Sequence, residues 1–372
     1  MTTVLHLVDA TCDESQMQVL AALRSRAAPE TWRHLVCSVN GPMAARAERH
    51  WGEKVLRAEI HAGHGGSWSA RLPHVLRQTG AALLHAWGVR AAAACSGEGH
   101  DLPVAMTLLD PASAADAATW LHSFPDAPAV ATGSQVTRNL LLSAGMNPER
   151  VVVIRGPVDF GAINRARQTD LRRKLVGDAG PVLLLHGPPS KAGGQSFGIW
   201  TAAVLRQIHS GLRLIMPYDS REARRLERVA IQTRMPNLLT VPNPSLNWSE
   251  LVTCADVFLA PAVDEICTEP ILTAMAAGLV VVGSAVRSIA ELIGSGQNGL
   301  LCKPKQPRVF AGQVLNVIEN DALRRRLAET ARAQVYEVAS LRDFADNYAR
   351  LYDNLLAGRS PSDGVRDTAM VA

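Results

Sequence analysis

The turn His186-Gly187-Pro188-Pro189-Ser190-Lys191-Ala192-Gly193-Gly194 joins an apolar run to a helix expected from about Gln195. Its glycines allow close backbone approach, Lys191 supplies a cation, and a helix N-terminus favours anions. The chemistry on offer is anion binding; a tight connection with an exposed lysine is the plain alternative. It is not a Walker loop, because the order Gly-Lys-Ser/Thr is absent. A second candidate is the acidic loop holding Glu265 and Glu269, four residues apart, before a small-residue helix. Pro270 suits the first helical turn, so Glu269 can simply offset the positive end of the helix dipole. Glu265 lies earlier in the loop and has no comparable structural reason to be there. His85 and Asp110 each stand near the carboxyl end of an N-terminal strand, where ligand-contacting residues of α/β proteins sit. His61 and His64, in His-Ala-Gly-His-Gly-Gly, are spaced like metal ligands. No nearby Asp, Glu or Cys completes a shell, so a Gly-rich loop is the reading and no metal is expected. A Ser-His-Asp triad is not signalled either, for want of a Gly-x-Ser-x-Gly elbow.

These residues need elements to position them, and the chain supplies short apolar strands alternating with Ala-rich helices. In the first half, strands are expected at 3–8, 34–39, 81–87, 103–109, 130–132 and 151–155, with helices at 14–27 and 137–143. In the second half, strands are expected at 181–186, 212–216, 238–241, 257–260 and 279–282, with helices at 313–336 and 343–356. Such alternation implies βαβ units and parallel sheets. Arg155-Gly156-Pro157-Val158-Asp159 breaks the pattern and reads as a hinge. The expected organisation is an α/β chain of two doubly wound domains, 1–157 and 158–340, facing a cleft. A terminal helix, 341–357, is expected to pack back toward the first domain, followed by a disordered tail, 358–372.

The totals fit this scheme. At 372 residues the chain exceeds one comfortable core. A net charge of +4 is too small to imply nucleic acid. The basic run at Arg221, Arg224, Arg225 and Arg228 is interrupted by Glu222 and Glu227 and reads as a solvated helix face. The six cysteines form no Cys-x-x-Cys pair. With no signal peptide and no apolar run of about 20 residues, a cytoplasmic location is the expectation.

Several blocks together resemble the group 1 glycosyltransferases, a large family of retaining, nucleotide-sugar-dependent enzymes with the two-domain GT-B fold. Residues 130–140 and 144–154 resemble the last part of that family's N-terminal domain, and Gly156-Pro157-Val158-Asp159 its hinge. Thr273-Ala-Met-Ala-Ala-Gly-Leu-Val-Val-Val282 resembles its donor-binding helix and strand, and Glu291 to Leu301 the next helix and Gly-rich turn. The family signature is a Glu, seven residues, and a second Glu before Ala-Met-Ala. Glu265 keeps the first position, near the transferred sugar; Thr273 stands at the second, where the family's Glu accepts from ribose hydroxyls. Losing a charge-assisted hydrogen bond there costs about 1.5–3 kcal/mol. Lys191 matches the lysine directed at the donor diphosphate, while Pro188 and Pro189 replace the expected Arg. Thr268 and Glu269 stand where the family tends to have Gly and an apolar residue.

The resemblance implies a metal-independent hexosyl transfer from a nucleotide sugar to a glycan or lipid-linked acceptor, with retention, in polysaccharide assembly. Donor contacts would fall to Gly187, Lys191, Thr268, Glu269 and Thr273; Glu265, His85 and Asp110 would line the reacting groups. No cofactor beyond the nucleotide-sugar substrate is implied. Peripheral contact with the inner face of a membrane, through Trp51 or Trp68, is compatible with a lipid-linked acceptor. The departures at Thr273, Glu269 and Pro188 favour the alternative, a non-catalytic GT-B homologue acting as a sugar-nucleotide-binding or scaffold protein. An epimerase or phosphorylase on the same fold has no distinguishing motif here.

Overall fold

A computed structural model describes residues 1–9, 12, 14–26, 30–38, 48, 56–57, 72–95, 100–121, 128–178, 180–187, 191–217, 224, 228, 235, 237–243 and 246–366. The chain divides into two compact units: residues 1–157 with 341–368, and residues 158–340.

In the first unit the elements are β1 (Thr2–Val8), α1 (Glu14–Arg26), β2 (Trp32–Ser38), β3 (Leu56–Arg57), α2 (Leu72–Thr79), β4 (Leu83–Trp87), α3 (Val89–Cys95) and β5 (Val104–Leu108). A single 3₁₀ turn (Pro111–Ser113), α4 (Ala114–Leu121), β6 (Ala129–Thr132), α5 (Gln135–Ser143) and β7 (Val151–Val153) complete that run. The second unit holds α6 (Phe160–Arg167), α7 (Leu171–Val176), β8 (Val182–Leu185), α8 (Gln195–Arg206), β9 (Arg213–Ile215), β10 (Leu239–Thr240) and α9 (Trp248–Leu251). It continues with β11 (Val257–Ala260), α10 (Glu269–Ala276), β12 (Val280–Ser284), α11 (Arg287–Ala290), β13 (Leu300–Cys302), α12 (Pro307–Glu319) and α13 (Asp321–Val338). The last helix, α14 (Leu341–Leu356), returns to the first unit.

Among the described residues, each unit is built on one parallel sheet. The orders are β3-β2-β1-β4-β5-β6-β7 and β10-β9-β8-β11-β12-β13. Strands covered on both faces read as continuous apolar runs, as β8, β11 and β12 do. Alternate residues point to opposite faces. Val182, Leu184, Phe258 and Val281 accordingly join one core, and Leu183, Leu185, Leu259 and Val282 the other.

Two sequence expectations need correction. The single helix expected over 313–336 is two, α12 and α13, broken at Asn320 (φ −116°, ψ 89°). The Asn320 side chain accepts from the Leu323 amide at 2.9 Å and caps the second helix. Of the tail expected to be disordered, 358–372, the described residues 358–366 are held in place. Its backbone is held by polar side chains of α14: Asn354 Nδ2 donates to the Asp363 carbonyl at 2.8 Å, and Arg350 donates to the Gly364 carbonyl at 2.9 Å. Asn347 both accepts from the Arg366 amide and donates to its carbonyl. The weak apolar pattern misled because hydrogen bonds, not apolar burial, hold this segment.

The docking of α14 in the first unit also rests on polar side chains. His6, on β1, stands opposite His85, on β4. His85 Nδ1 lies 2.7 Å from the Tyr352 hydroxyl, and its Nε2 2.8 Å from Thr107 Oγ1. Thr107 Oγ1 lies 2.8 Å from the Tyr348 hydroxyl. Trp87 Nε1–H donates to His6 Nδ1 at 3.0 Å, and His6 Nε2 meets His34 Nδ1 at 2.7 Å. The indole can only donate, so His6 is neutral with its proton on Nε2, and His34 accepts it.

Candidate functional site

In an open α/β sheet, ligands sit outside the carboxyl ends of the strands where the strand order reverses. In the second unit that point lies between β8 and β11, since β9 follows on one side and β12 on the other. The turn after β8 and the loop after β11 are laced together there. His186 Nε2 donates to the Cys267 carbonyl at 3.0 Å. The Ala192 carbonyl accepts from the Val263 amide at 2.8 Å and from that of Asp264 at 3.4 Å. Gln195 Nε2 donates to the Gly187 carbonyl at 3.1 Å. His186 is packed against Trp248 and Phe258, and burial lowers its pKa to about 4. It is therefore neutral at pH 7, with its proton on the donating Nε2.

Two glycines make this lacing feasible. Gly187 has φ +143°, and a Cβ there would lie 2.4 Å from the Gly193 carbonyl oxygen. Gly194 has φ +64°, and its Cβ would lie 2.0 Å from the Pro261 carbonyl oxygen. Gly194→Ala combines an overpacked backbone contact with a left-handed φ, so it is expected to destabilise the second unit by about 3 kcal/mol. Urea unfolding of the variant beside the parent measures this. An unchanged midpoint would mean that the turn yields freely.

Lys191 is exposed on this turn. Across from it, α10 starts at Glu269 with Pro270 in its first turn and buried Thr268 at the cap position. The Thr268 side chain makes no capping bond. The Cys267 thiol donates to Glu269 Oε2 at 2.7 Å, placing the Glu269 carboxylate at the positive end of α10. One turn on, Thr273 Oγ1 donates to the Glu269 carbonyl at 3.1 Å. Its hydroxyl hydrogen is thereby engaged, and its oxygen remains able to accept.

Glu265, for which the sequence suggested no structural reason, has one. Its Oε1 accepts from Arg287 Nε at 2.8 Å and its Oε2 from the Ser288 amide at 2.7 Å. The side chain is 14% exposed. Ser288 Oγ accepts from the Ile266 amide at 3.2 Å, so the start of α11 and the β11 loop form one braced piece. Arg287 was missed in the sequence. It lies 22 residues from Glu265, and no local pattern marks the pair.

The structure thus places Gly187, Lys191, Glu265, Thr268, Glu269 and Thr273 on the turn and on the loop and helix that follow the carboxyl ends of β8 and β11. His85 and Asp110 belong to the first unit, and the expectation for His85 is corrected. His85 lies inside β4 rather than at its end and is 0% exposed. Both its ring nitrogens are engaged, and burial lowers its pKa to about 3. Asp110 caps the 3₁₀ turn: its Oδ1 accepts from the Ala112 amide at 3.1 Å, and its Oδ2 from the Ser113 hydroxyl at 3.3 Å. At the corresponding switch point of the first unit, between β1 and β4, stands a residue the sequence reading did not single out. Asp9 is buried, and its Oδ2 accepts from the Ala91 amide at 2.7 Å. His61, His64, Trp51, Trp68, Pro188, Pro189, Arg221 and Arg225 lie outside the described residues. Among the described residues no helix is long and apolar enough to cross a membrane.

Comparison with known proteins places this geometry. The family model described as "Glycosyl transferases group 1" matches residues 202–334. N-acetyl-alpha-D-glucosaminyl L-malate synthase of Bacillus anthracis is 30% identical over 110 residues, 30% of this chain and 29% of that protein. The aligned part thus spans about three tenths of that curated relative. Among solved structures, HepE of Anabaena in complex with UDP-glucose superposes with a TM-score of 0.78 at 17% identity, covering 95% of this chain and 100% of that one. A glycosyltransferase of Rickettsia africae superposes with a TM-score of 0.75 at 14% identity, covering 95% and 98%. The chain therefore has the GT-B fold of two Rossmann-like units, and its second unit carries a segment similar to the group 1 glycosyltransferases.

Proposed function

We propose that this protein transfers a sugar from a nucleotide-sugar donor to a glycan or lipid-linked acceptor with retention of configuration, and that the donor binds in the second unit. The observation that carries this reading is the arrangement at the β8–β11 switch point. There Lys191, on the turn after β8, and the start of α10, after β11, stand at the carboxyl end of neighbouring strands. A diphosphate fits there because helix N-termini and cations both favour negative charge. The match over residues 202–334 and the likeness to HepE, which was solved with UDP-glucose, support the same reading.

In this reading the bond from the anomeric carbon to the donor phosphate breaks and one to an acceptor oxygen forms. Lys191 and backbone amides near Pro270 stabilise the charge that develops on the leaving diphosphate, without a metal. Glu265, held rigid by Arg287 and Ser288, orients sugar hydroxyls through its remaining lone pairs. Thr273 accepts from one ribose hydroxyl in place of the carboxylate found in similar proteins. His85, enclosed in the core of the first unit, takes no part.

A second reading, a binding or scaffold protein without transfer, is favoured by one observation. The Glu269 carboxylate stands at the positive end of α10, where a diphosphate would sit. Calorimetric titration with UDP, GDP, ADP and their sugars, followed by measurement of nucleotide release in the presence of glycan acceptors, separates the two. Micromolar binding of one nucleotide with acceptor-dependent release supports transfer. Binding without release removes transfer and leaves a sugar-nucleotide-binding protein, and no binding at millimolar concentration means that Glu269 and Thr273 close the donor site and leaves the scaffold reading.

A further inference from the structure

Helix α8 buries Gln195, Gly198, Ile199, Thr201, Ala202 and Leu205 against the second sheet. Its outward face should be polar, as on any surface helix. Instead Trp200 stands on that face with half-buried Phe197 three residues before it, and Ile208 is exposed just past the helix end. Trp200 is 62% exposed and Ile208 57% exposed. The neighbouring helix extends the patch. Thr201 Oγ1 donates to the Pro307 carbonyl at 3.3 Å, which puts the start of α12 beside α8, and Val309 there is 45% exposed.

The charges along these two stretches are basic. Residues 195–213 contain Arg206 and Arg213, residues 303–318 contain Lys303, Lys305 and Arg308, and neither stretch contains an Asp or Glu. Across the whole chain the two signs nearly balance, 38 against 34. Lys303, Lys305 and Arg308 are exposed at the start of α12. Glu319 enters only at the far end of α12, within 3.8 Å of His209.

We infer that the α8–α12 face of the second unit is a docking surface for an anionic lipid bilayer. A helix lying in the interface presents apolar and aromatic side chains to the acyl boundary and Lys or Arg to the headgroups. Tryptophan is favoured at that depth because it is apolar with one polar tip. A second copy of the chain is disfavoured as the occupant. A two-fold dimer places the same surface on both sides, so the basic start of α12 would sit close to its own image without an acidic counterpart. Nucleic acid accounts for the lysines but leaves an aliphatic stripe against a phosphate backbone. The inference uses surface residues of α8 and α12 that have no role in the transfer reaction, so it does not depend on that reaction.

The test is co-sedimentation of the full chain with vesicles of phosphatidylcholine alone and with about one third phosphatidylglycerol, at low and high salt. Binding is expected only to the anionic vesicles, and it weakens with salt. The double variant Trp200→Ser, Ile208→Ser is expected to lose affinity by tenfold or more, on the order of one buried aromatic side chain. Lys303→Gln, Lys305→Gln and Arg308→Gln together are expected to lose roughly a hundredfold, at about fivefold for each charge. All five positions are exposed or half-exposed, and a thermal melt checks that the variants keep the parent fold. Absence of binding to anionic vesicles at low salt overturns the inference. So does equal binding by the Trp200→Ser, Ile208→Ser variant. A lipid-independent dimer that this variant converts to monomer would assign the face to a second copy instead.

Discussion

Lys191→Ala is expected to lower kcat/KM for sugar transfer by about 10²- to 10³-fold, the effect typical of removing one preorganised donor to a developing oxyanion. The argument rests on what surrounds the lysine. The family's arginine has no counterpart in this turn, and Glu269 adds a negative charge across the site. The ammonium of Lys191 must therefore offset both the leaving diphosphate and the nearby carboxylate. The turn itself does not need the side chain. Lys191 is exposed, and the local geometry is held by the Ala192 carbonyl and by close backbone contacts at Gly187 and Gly194. The variant should melt at the parent temperature while losing activity, and Lys191→Arg should recover part of the loss. Steady-state kinetics on the three proteins, with nucleotide affinity by calorimetry, checks this. Full activity in Lys191→Ala would remove the diphosphate role and leave the backbone amides near Pro270 to carry it alone.

Much of the scaffold for that lysine could be read from local pattern. The run Val257–Ala260 is apolar, bounded by Asp256 and Pro261, and is a strand with those limits. The alternation of strands and helices gave the parallel sheets and the two Rossmann-like units. What local pattern did not carry was contact between distant parts of the chain. Glu265 looked like a free carboxylate because Arg287 and Ser288, its partners, lie 22 and 23 residues on. His85 looked like a ligand-facing residue because the apolar run around it ends at Trp87. Its true partner, Tyr352, lies 267 residues away. The break at Asn320 was missed for a local reason. No Gly or Pro marks it, and the apolar periodicity runs through it. Hydrogen bonding by an asparagine side chain ends one helix and starts the next without a compositional signal.

The buried imidazoles also set how the protein responds to acid. Burial lowers the His34 pKa to about 4 and that of His85 to about 3. His6 is held well below its ordinary value by burial and by His34, His85 and Arg24. A folded pKa below the unfolded value means that the unfolded chain takes up protons the native state refuses. Stability is then full above about pH 6.5 and falls as pH drops toward the folded pKa. By pH 5 the loss is about 2 kcal/mol for each of His34 and His85, with His6 adding in the same direction. Together this approaches the whole stability of an ordinary domain. The hydrogen bonds give the loss a structural meaning. Protonating His6 Nδ1 breaks the bond from Trp87, and a doubly protonated His85 cannot accept from either neighbour. The first unit, with three such groups, should therefore loosen before the second, where His186 is the corresponding group, and α14 should release with it. Hydrogen exchange at pH 7.5 and pH 5 is expected to show β1, β4 and α14 losing protection while β11 and β12 keep theirs. His34→Gln should remove close to one proton from the pH slope of urea stability. Equal protection of both units at pH 5 would mean that the cluster tolerates charge, and that the docking of α14 does not rest on neutral imidazoles.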